Sequence, residues 1–166
     1  GQITETVNLN GQTQVATTTQ YLRVNRTYVA SAGSGGTGAG VIYVATNGAA
    51  RGVPTGTTYA AIIAGENQSQ MAVYTVPAAY SLFIDNVYFT AAVSATANHV
   101  ITKLATRDLN GVFRSRTTNI LENSPLINDF EYPLKISAKT DIECRASGST
   151  TNNQVSASFE GALIAD

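Results

Sequence analysis

Apolar residues recur at every second position along most of this chain, and no segment carries the period of an amphipathic helix. A period of two sends alternate side chains to opposite faces of an extended backbone, so the pattern predicts β-strands with one buried and one solvated face. Near the start, Ile3, Val7 and Leu9 alternate with Thr4, Thr6 and Asn8, and Asn10-Gly11 follows as a strong hairpin signal. A return strand is expected over Gln14–Thr18 and another over Tyr21–Ser31, with Leu22, Val24, Tyr28 and Ala30 on one face. The run Ser31–Gly40 (SAGSGGTGAG) is too rich in glycine for a regular element. Strands are expected again at Val41–Thr46 and Thr57–Ala64, separated by a turn-rich connector, Asn47–Gly56, that carries Pro54.

The polar run Gly65–Ser69 divides the sequence, which predicts an N-terminal β unit over 1–65 and a C-terminal one over 70–166. The second has the clearer strands: Met71–Val76, Ser81–Ala91, Val100–Arg107, Val112–Ile120, Asp129–Leu134, Thr140–Ala146 and Val155–Ile164. Turn residues between them (Asp108-Leu109-Asn110-Gly111, Gly148–Asn153) give the short spacing of an antiparallel β-sandwich or jelly-roll-like unit. The expected fold class is therefore all-β.

Composition narrows the function. Charged residues are 13% of the 166, against about 25% in an average domain, with Thr, Ser, Asn, Gln and Gly in their place. A formal charge of −1 provides no footprint for nucleic acid or an anionic membrane, and little repulsion against self-association. The one cysteine, Cys144, excludes an intrachain disulfide framework, and no run approaches the roughly 18 apolar residues of a membrane span. Gly1 opens the sequence and Met71 is its only methionine, so upstream residues or processing are expected.

The search for chemistry leaves no catalytic, cofactor or metal residues to nominate. Gly33-Ser34-Gly35-Gly36-Thr37-Gly38 satisfies G-x-G-x-x-G, but a dinucleotide site needs that turn to open a helix, and Val41-Ile42-Tyr43-Val44 reads as a strand. His99 is the only histidine, and with a single cysteine it cannot build a zinc site. Cys144 shares a strand face with Ile142 and Ala146, the position of a small core residue. The pairs Asp129/Glu131 and Asp141/Glu143 sit among Lys135, Lys139 and Arg145, the pattern of solvated strand faces with cross-strand ion pairs. The eight tyrosines fall on both strand faces, as core-edge packing would place them.

Several phrases carry a resemblance: Thr6–Thr13 (TVNLNGQT), Tyr21–Arg26 (YLRVNR), Met71–Ala78 (MAVYTVPA), Gly111–Arg114 (GVFR), Tyr132–Lys135, Lys139–Glu143 and Val155–Phe159. Together they resemble a family of tailed-phage virion structural proteins, across most of the chain. The resemblance implies a non-enzymatic particle component, foremost a capsid decoration or cement protein on the head. It would be a homotrimer bound to the major capsid protein, with no cofactor, nucleic-acid or membrane partner. Tail, neck or fibre proteins and a carbohydrate-binding sandwich are the alternatives. On this reading the assembly arm is Ile3, Thr4, Val7, Leu9, Asn10 and Gly11, reaching a neighbour by strand addition. The candidate contact loops are Ser34, Gly35 and Gly36, and Ser149, Thr150 and Asn152.

Overall fold

The computed structural model describes residues 2–46, 48–95 and 98–166. Gly1, at the start of the expected arm, and Asn47, at the start of the expected connector, lie outside the described residues. All regular elements among those residues are strands, in antiparallel sheets, so the chain is all-β. It divides into two compact units, Gln2–Met71 and Ala72–Asp166.

The first unit has little ladder. Strand β1 (Ile42–Ala45) pairs with β4 (Thr58–Ile62), placing Ile42 against Ile62 and Val44 against Ala60. Between them β2 (Ala49–Ala50) and β3 (Val53–Pro54) make a tiny hairpin inside the expected connector. Its central residues Arg51 and Gly52 both have positive φ, 52° and 78°, the backbone that a tight hairpin's twist demands.

The strands expected over Ile3–Leu9, Gln14–Thr18 and Tyr21–Ser31 do not form. What survives is one bridge between Asn10 and Thr13, closed by the Thr13 N–H on the Asn10 carbonyl at 2.9 Å, and a second between Tyr28 and Gln68. The turn is also displaced by one residue from the Asn-Gly reading: Gly11-Gln12 occupies its centre, with Gly11 at φ +55°. A glycine at the first central position suits a II′ turn, so the local signal was right about a reversal and wrong about its register. An isolated two-stranded hairpin is marginal in water, and these arms have no third strand to complete a face.

The second unit contains two sheets over a common core. Strands β5 (Val73–Thr75), β10 (Asp141–Gly148), β7 (Val100–Arg107) and β8 (Arg114–Leu121) form one, in that order. Strands β11 (Gln154–Ala165), β6 (Tyr80–Ala92) and β9 (Pro125–Ile136) form the other. Leu82, Ile84, Val87, Phe89 and Ala91 of β6 meet Val100, Leu104, Leu121 and Ile142 of the facing sheet, with Ile136 and Val76 closing the cluster. Burying each large side chain of this kind stabilises the unit by about 1.5–3 kcal/mol. The pairs β7·β8, β6·β9 and β5·β10 are nested one outside the next, as in a long hairpin folded over on itself.

Strand β6 changes parity in the middle. Its inward residues are Leu82 and Ile84, then Val87, Phe89 and Ala91, because the registers to both neighbours slip around Asp85. On the β9 side Ile84 pairs with Leu134 but Asn86 pairs with Asp129, which leaves Phe130–Pro133 as extra residues in the register, with Phe130 packed against the core. On the β11 side the slip falls at Glu160/Gly161, where a Cβ on Gly161 would strike the Phe83 carbonyl oxygen. Only glycine permits that close backbone approach.

Candidate assembly surfaces

The arm is an extended segment organised by one carboxylate. In the register set by the Asn10–Thr13 bridge, Glu5 lies opposite Thr18. Glu5 accepts hydrogen bonds from the Thr18 N–H (2.7 Å) and hydroxyl (3.0 Å), the Thr19 N–H (3.2 Å) and the Tyr21 hydroxyl (2.9 Å). These donors, the Thr18 N–H foremost, hold its pKa down at about 2, against an ordinary 4.5. The two arms are thus held side by side through a side chain rather than through a backbone ladder. Ile3 is 64% exposed and Leu9 60%, and Leu22, just beyond, is 88% exposed. Thr4, Asn10 and Gly11 are exposed as well, and Val7 is half-buried.

The two candidate loops differ in construction. Ser34, Gly35 and Gly36 sit in an exposed turn where the Gly36 N–H reaches the Gly33 carbonyl at 3.0 Å. Asn67 Nδ2 donates to the Gly36 carbonyl at 3.3 Å and the Gly65 N–H to Gly38 at 3.0 Å, so this segment is stitched to the 65–67 turn. It leads into β1, a strand, which removes the helix terminus a dinucleotide would need. Ser149, Thr150 and Asn152 belong to the second unit, in the β10–β11 connection. There the Ser149 N–H donates to the His99 carbonyl (2.9 Å) while the His99 N–H donates to Ser149 Oγ (3.0 Å). His99 is therefore engaged through its backbone as a loop tie. Asn152 supplies the positive φ, 67°, that reverses the chain.

One feature of the four-stranded sheet was not anticipated. The Asp108–Gly111 turn brings Phe113 back over the sheet's outer face, with Arg145 Cζ 4.1 Å and Arg107 Cζ 4.6 Å from its ring centroid. Each guanidinium is also paired with a carboxylate: Arg107 with Asp141 (Nε to Oδ2, 3.0 Å) and Arg145 with Glu143 (2.6 Å). Thr75 donates to the other Asp141 oxygen at 2.6 Å, joining β5, β10 and β7. A shallow cleft beside the ring is lined by Lys103, Ser115, Arg145 and Ser147. The pair Asp141/Glu143 is thus spent on arginines, Asp141 across strands and Glu143 within β10, and both carboxylates are more covered than a solvated face implies, at 13% and 22% exposed. The sequence signal for this cluster was the phrase Gly111-Val112-Phe113-Arg114, which reads as strand but begins inside the turn's return.

Open sheet edges are the other surface. Strand β5 has three residues, and β8 carries Arg114 and Arg116. Strand β9 carries Pro125 and Pro133 together with Asp129, Glu131 and Lys135. Strand β11 is twelve residues long (QVSASFEGALIA), has no proline, and bears one charge, Glu160, which accepts from the Tyr88 hydroxyl at 3.2 Å. Val155 and Leu163, on the same side as the core-packed Ala157 and Phe159, are still 39% and 42% exposed.

Cys144 packs against the core, and burial pushes its thiol up to about 11, so it is a small apolar side chain in practice. Among the described residues no three His, Cys, Asp or Glu side chains gather as a metal would require, and no helix is long and apolar enough to cross a membrane. Comparison with protein-family models, with curated proteins and with solved structures finds no match.

Proposed function

We propose that this chain is a structural component of a tailed-phage particle, acting as a head decoration protein that binds copies of itself and bridges capsid subunits. The observation that carries the reading is the combination of apolar side chains left outside any ladder in and just beyond the arm (Ile3, Leu9, Leu22) with a long, nearly uncharged sheet edge at β11. Both are liabilities in a solitary soluble protein and assets in one that ends up covered by others. The nested strand order adds support, because it resembles the nested pairing of jelly-roll sandwiches, an architecture common in viral shells. A charge-poor surface limits the desolvation cost of each contact, and many equivalent weak contacts on a shell multiply into high avidity. In this reading the partner is the major capsid protein and the self-associated form is a trimer on threefold positions.

Antibody labelling of purified particles, imaged by electron microscopy, tests the proposal. Label spread over the head is the expected result. Label confined to the tail or its tip would move the protein there and make the Ser34–Gly36 and Ser149–Asn152 loops receptor-contact candidates. Particles without label would overturn a virion role altogether.

A further inference from the structure

Three of the four free edges of the larger sheets are protected in ways that natural sheets use against pairing with another chain. One is very short (β5), one is marked by arginines (β8), and one is interrupted by prolines, charges and a bulge (β9). Strand β11 has none of these devices beyond Glu160 and the glycine slip beside it. An unblocked edge of that length, with the apolar inner row Val155, Phe159 and Leu163 incompletely covered, is the geometry of a sheet lacking its last strand.

The nesting says where that strand should come from. Moving outward from the tip, β7 pairs with β8, β6 with β9, and β5 with β10. The next step pairs β11 with a strand that precedes β5 and runs antiparallel to it. Ahead of β5, strands β1 to β4 already pair among themselves, and β11 pairs with β6 alone. Three alternating segments stay without a ladder there: Tyr21–Ser31 is tied to Asn67–Ser69 through Thr27–Val29, Gln14–Thr18 brings one large apolar side chain, Val15, and Ile3–Leu9 brings Ile3, Val7 and Leu9 on one side, which makes the arm the best-matched strand.

We infer that the open edge of β11 is completed by residues Ile3–Leu9 of a second copy, added antiparallel with Ile3, Val7 and Leu9 on the same side as Val155, Phe159 and Leu163. This rests on the self-assembly part of the proposed function and names its donor and acceptor. Strand addition gains affinity from the backbone ladder and specificity from alternate side chains, and both segments supply what it needs. Thr4, Thr6 and Asn8 then lie on the outer face with Ser156 and Ser158. Glu5, the one charge on the arm's inner row, arrives with its carboxylate already held by Thr18, Thr19 and Tyr21. A β11-to-β11 dimer is the poorer solution, because an antiparallel pairing centred on the strand sets Glu160 near Glu160.

Disulfide trapping on the full chain tests it. One tagged population carries Thr4→Cys, Thr6→Cys or Asn8→Cys, and a second, differently tagged, carries Ser156→Cys or Ser158→Cys. These positions face outward, so the variants leave the core intact, and circular dichroism checks that each keeps its β signal. The half-buried Cys144, its thiol held up by burial, is present in every population, and the unsubstituted chain controls for it. The expected result is a mixed-tag product of doubled mass from mixed populations, growing with protein concentration and absent from the unsubstituted chain. A concentration-independent link within one chain, in double variants such as Thr6→Cys/Ser158→Cys, would overturn the second copy as donor. No link from any pair in well-folded variants would overturn strand addition at this edge. Particle labelling is independent of this outcome: a labelled head without a link sinks only this inference, and a link without labelled particles sinks only the virion role.

Discussion

Residues 2–71 and 72–166 are written in much the same alternating style, yet they fold to very different degrees of order. Among the described residues the second unit buries twelve apolar side chains, from Val76 to Ile142, between two sheets of three and four strands. The first buries two, Ala60 and Ile62, and leaves Ile3, Leu9, Leu22 and Tyr28 in solvent. The difference lies in partners. Each strand of the second unit finds neighbours whose inward rows coincide with its own, so backbone bonding and burial reinforce one another. In the first, Ile3–Leu9 and Gln14–Thr18 face each other through the Glu5 carboxylate but have no third strand to bury against. Alternation proposes a strand; a second layer is what makes it one.

Four measurements would break or sharpen that contrast. Phe89→Ala removes a fully buried ring from the centre of the second unit and should cost about 3–5 kcal/mol in denaturant unfolding. Leu22→Ala, in the first unit, should change stability by less than about 0.5 kcal/mol, and a cost near that of Phe89→Ala would mean the arm is packed after all. Next, Gly161→Ala drives a methyl into the Phe83 carbonyl and should lower stability by about 1–3 kcal/mol, read as a fall in Tm. Gly11→Ala meets no neighbouring atom and is penalised only by its φ of +55°, so it should cost about 1–2 kcal/mol and loosen the turn.

A smaller effect of opposite sign is expected at Thr102, fully buried with its hydroxyl lacking a hydrogen-bond partner in the protein. Thr102→Val should be neutral or stabilising by up to about 1 kcal/mol, and a clear loss of stability would show that the hydroxyl is satisfied. The smallest effect is local and pH-dependent. Because Glu5 is depressed to about 2 from 4.5, its hydrogen bonds contribute fully above pH 4.5 and are lost as pH falls towards 2. The Thr18 and Thr19 amide resonances should move over that window. In Glu5→Gln that movement should vanish; its persistence would assign the titration to another group.

Much of the second unit was legible residue by residue. Strand β7 falls at Val100–Arg107, where alternation placed it, and β11 (Gln154–Ala165) extends the expected Val155–Ile164 by one residue at each end. The misses have specific causes. Strand β9 begins at Pro125 rather than Asp129, because a strand's first residue needs no ladder N–H and proline is acceptable there. Strand β8 begins at Arg114 rather than Val112, because the preceding turn lifts Phe113 into its place between two arginines. The parity break in β6 was present in the spacing of Leu82 and Ile84 against Val87 and Phe89, and it marks the bulge at Asp85. Of the candidate arm and loop residues, a chain reversal at Gly11 and another at Asn152 were readable, the first displaced by one residue in register. That Glu5 organises the arm was not, since a carboxylate's partners 13 and 16 residues away leave no local trace.

The sequence by itself determined the all-β class, the places where the chain reverses, and which faces of the later strands are apolar. These follow from side-chain alternation and backbone preferences that act within a few residues. The tertiary structure alone decided which alternating segments became strands, the nested order of the two sheets, and the exposure of β11 as their unblocked edge. A ladder bond belongs to two strands at once, and one segment's pattern does not name its neighbour.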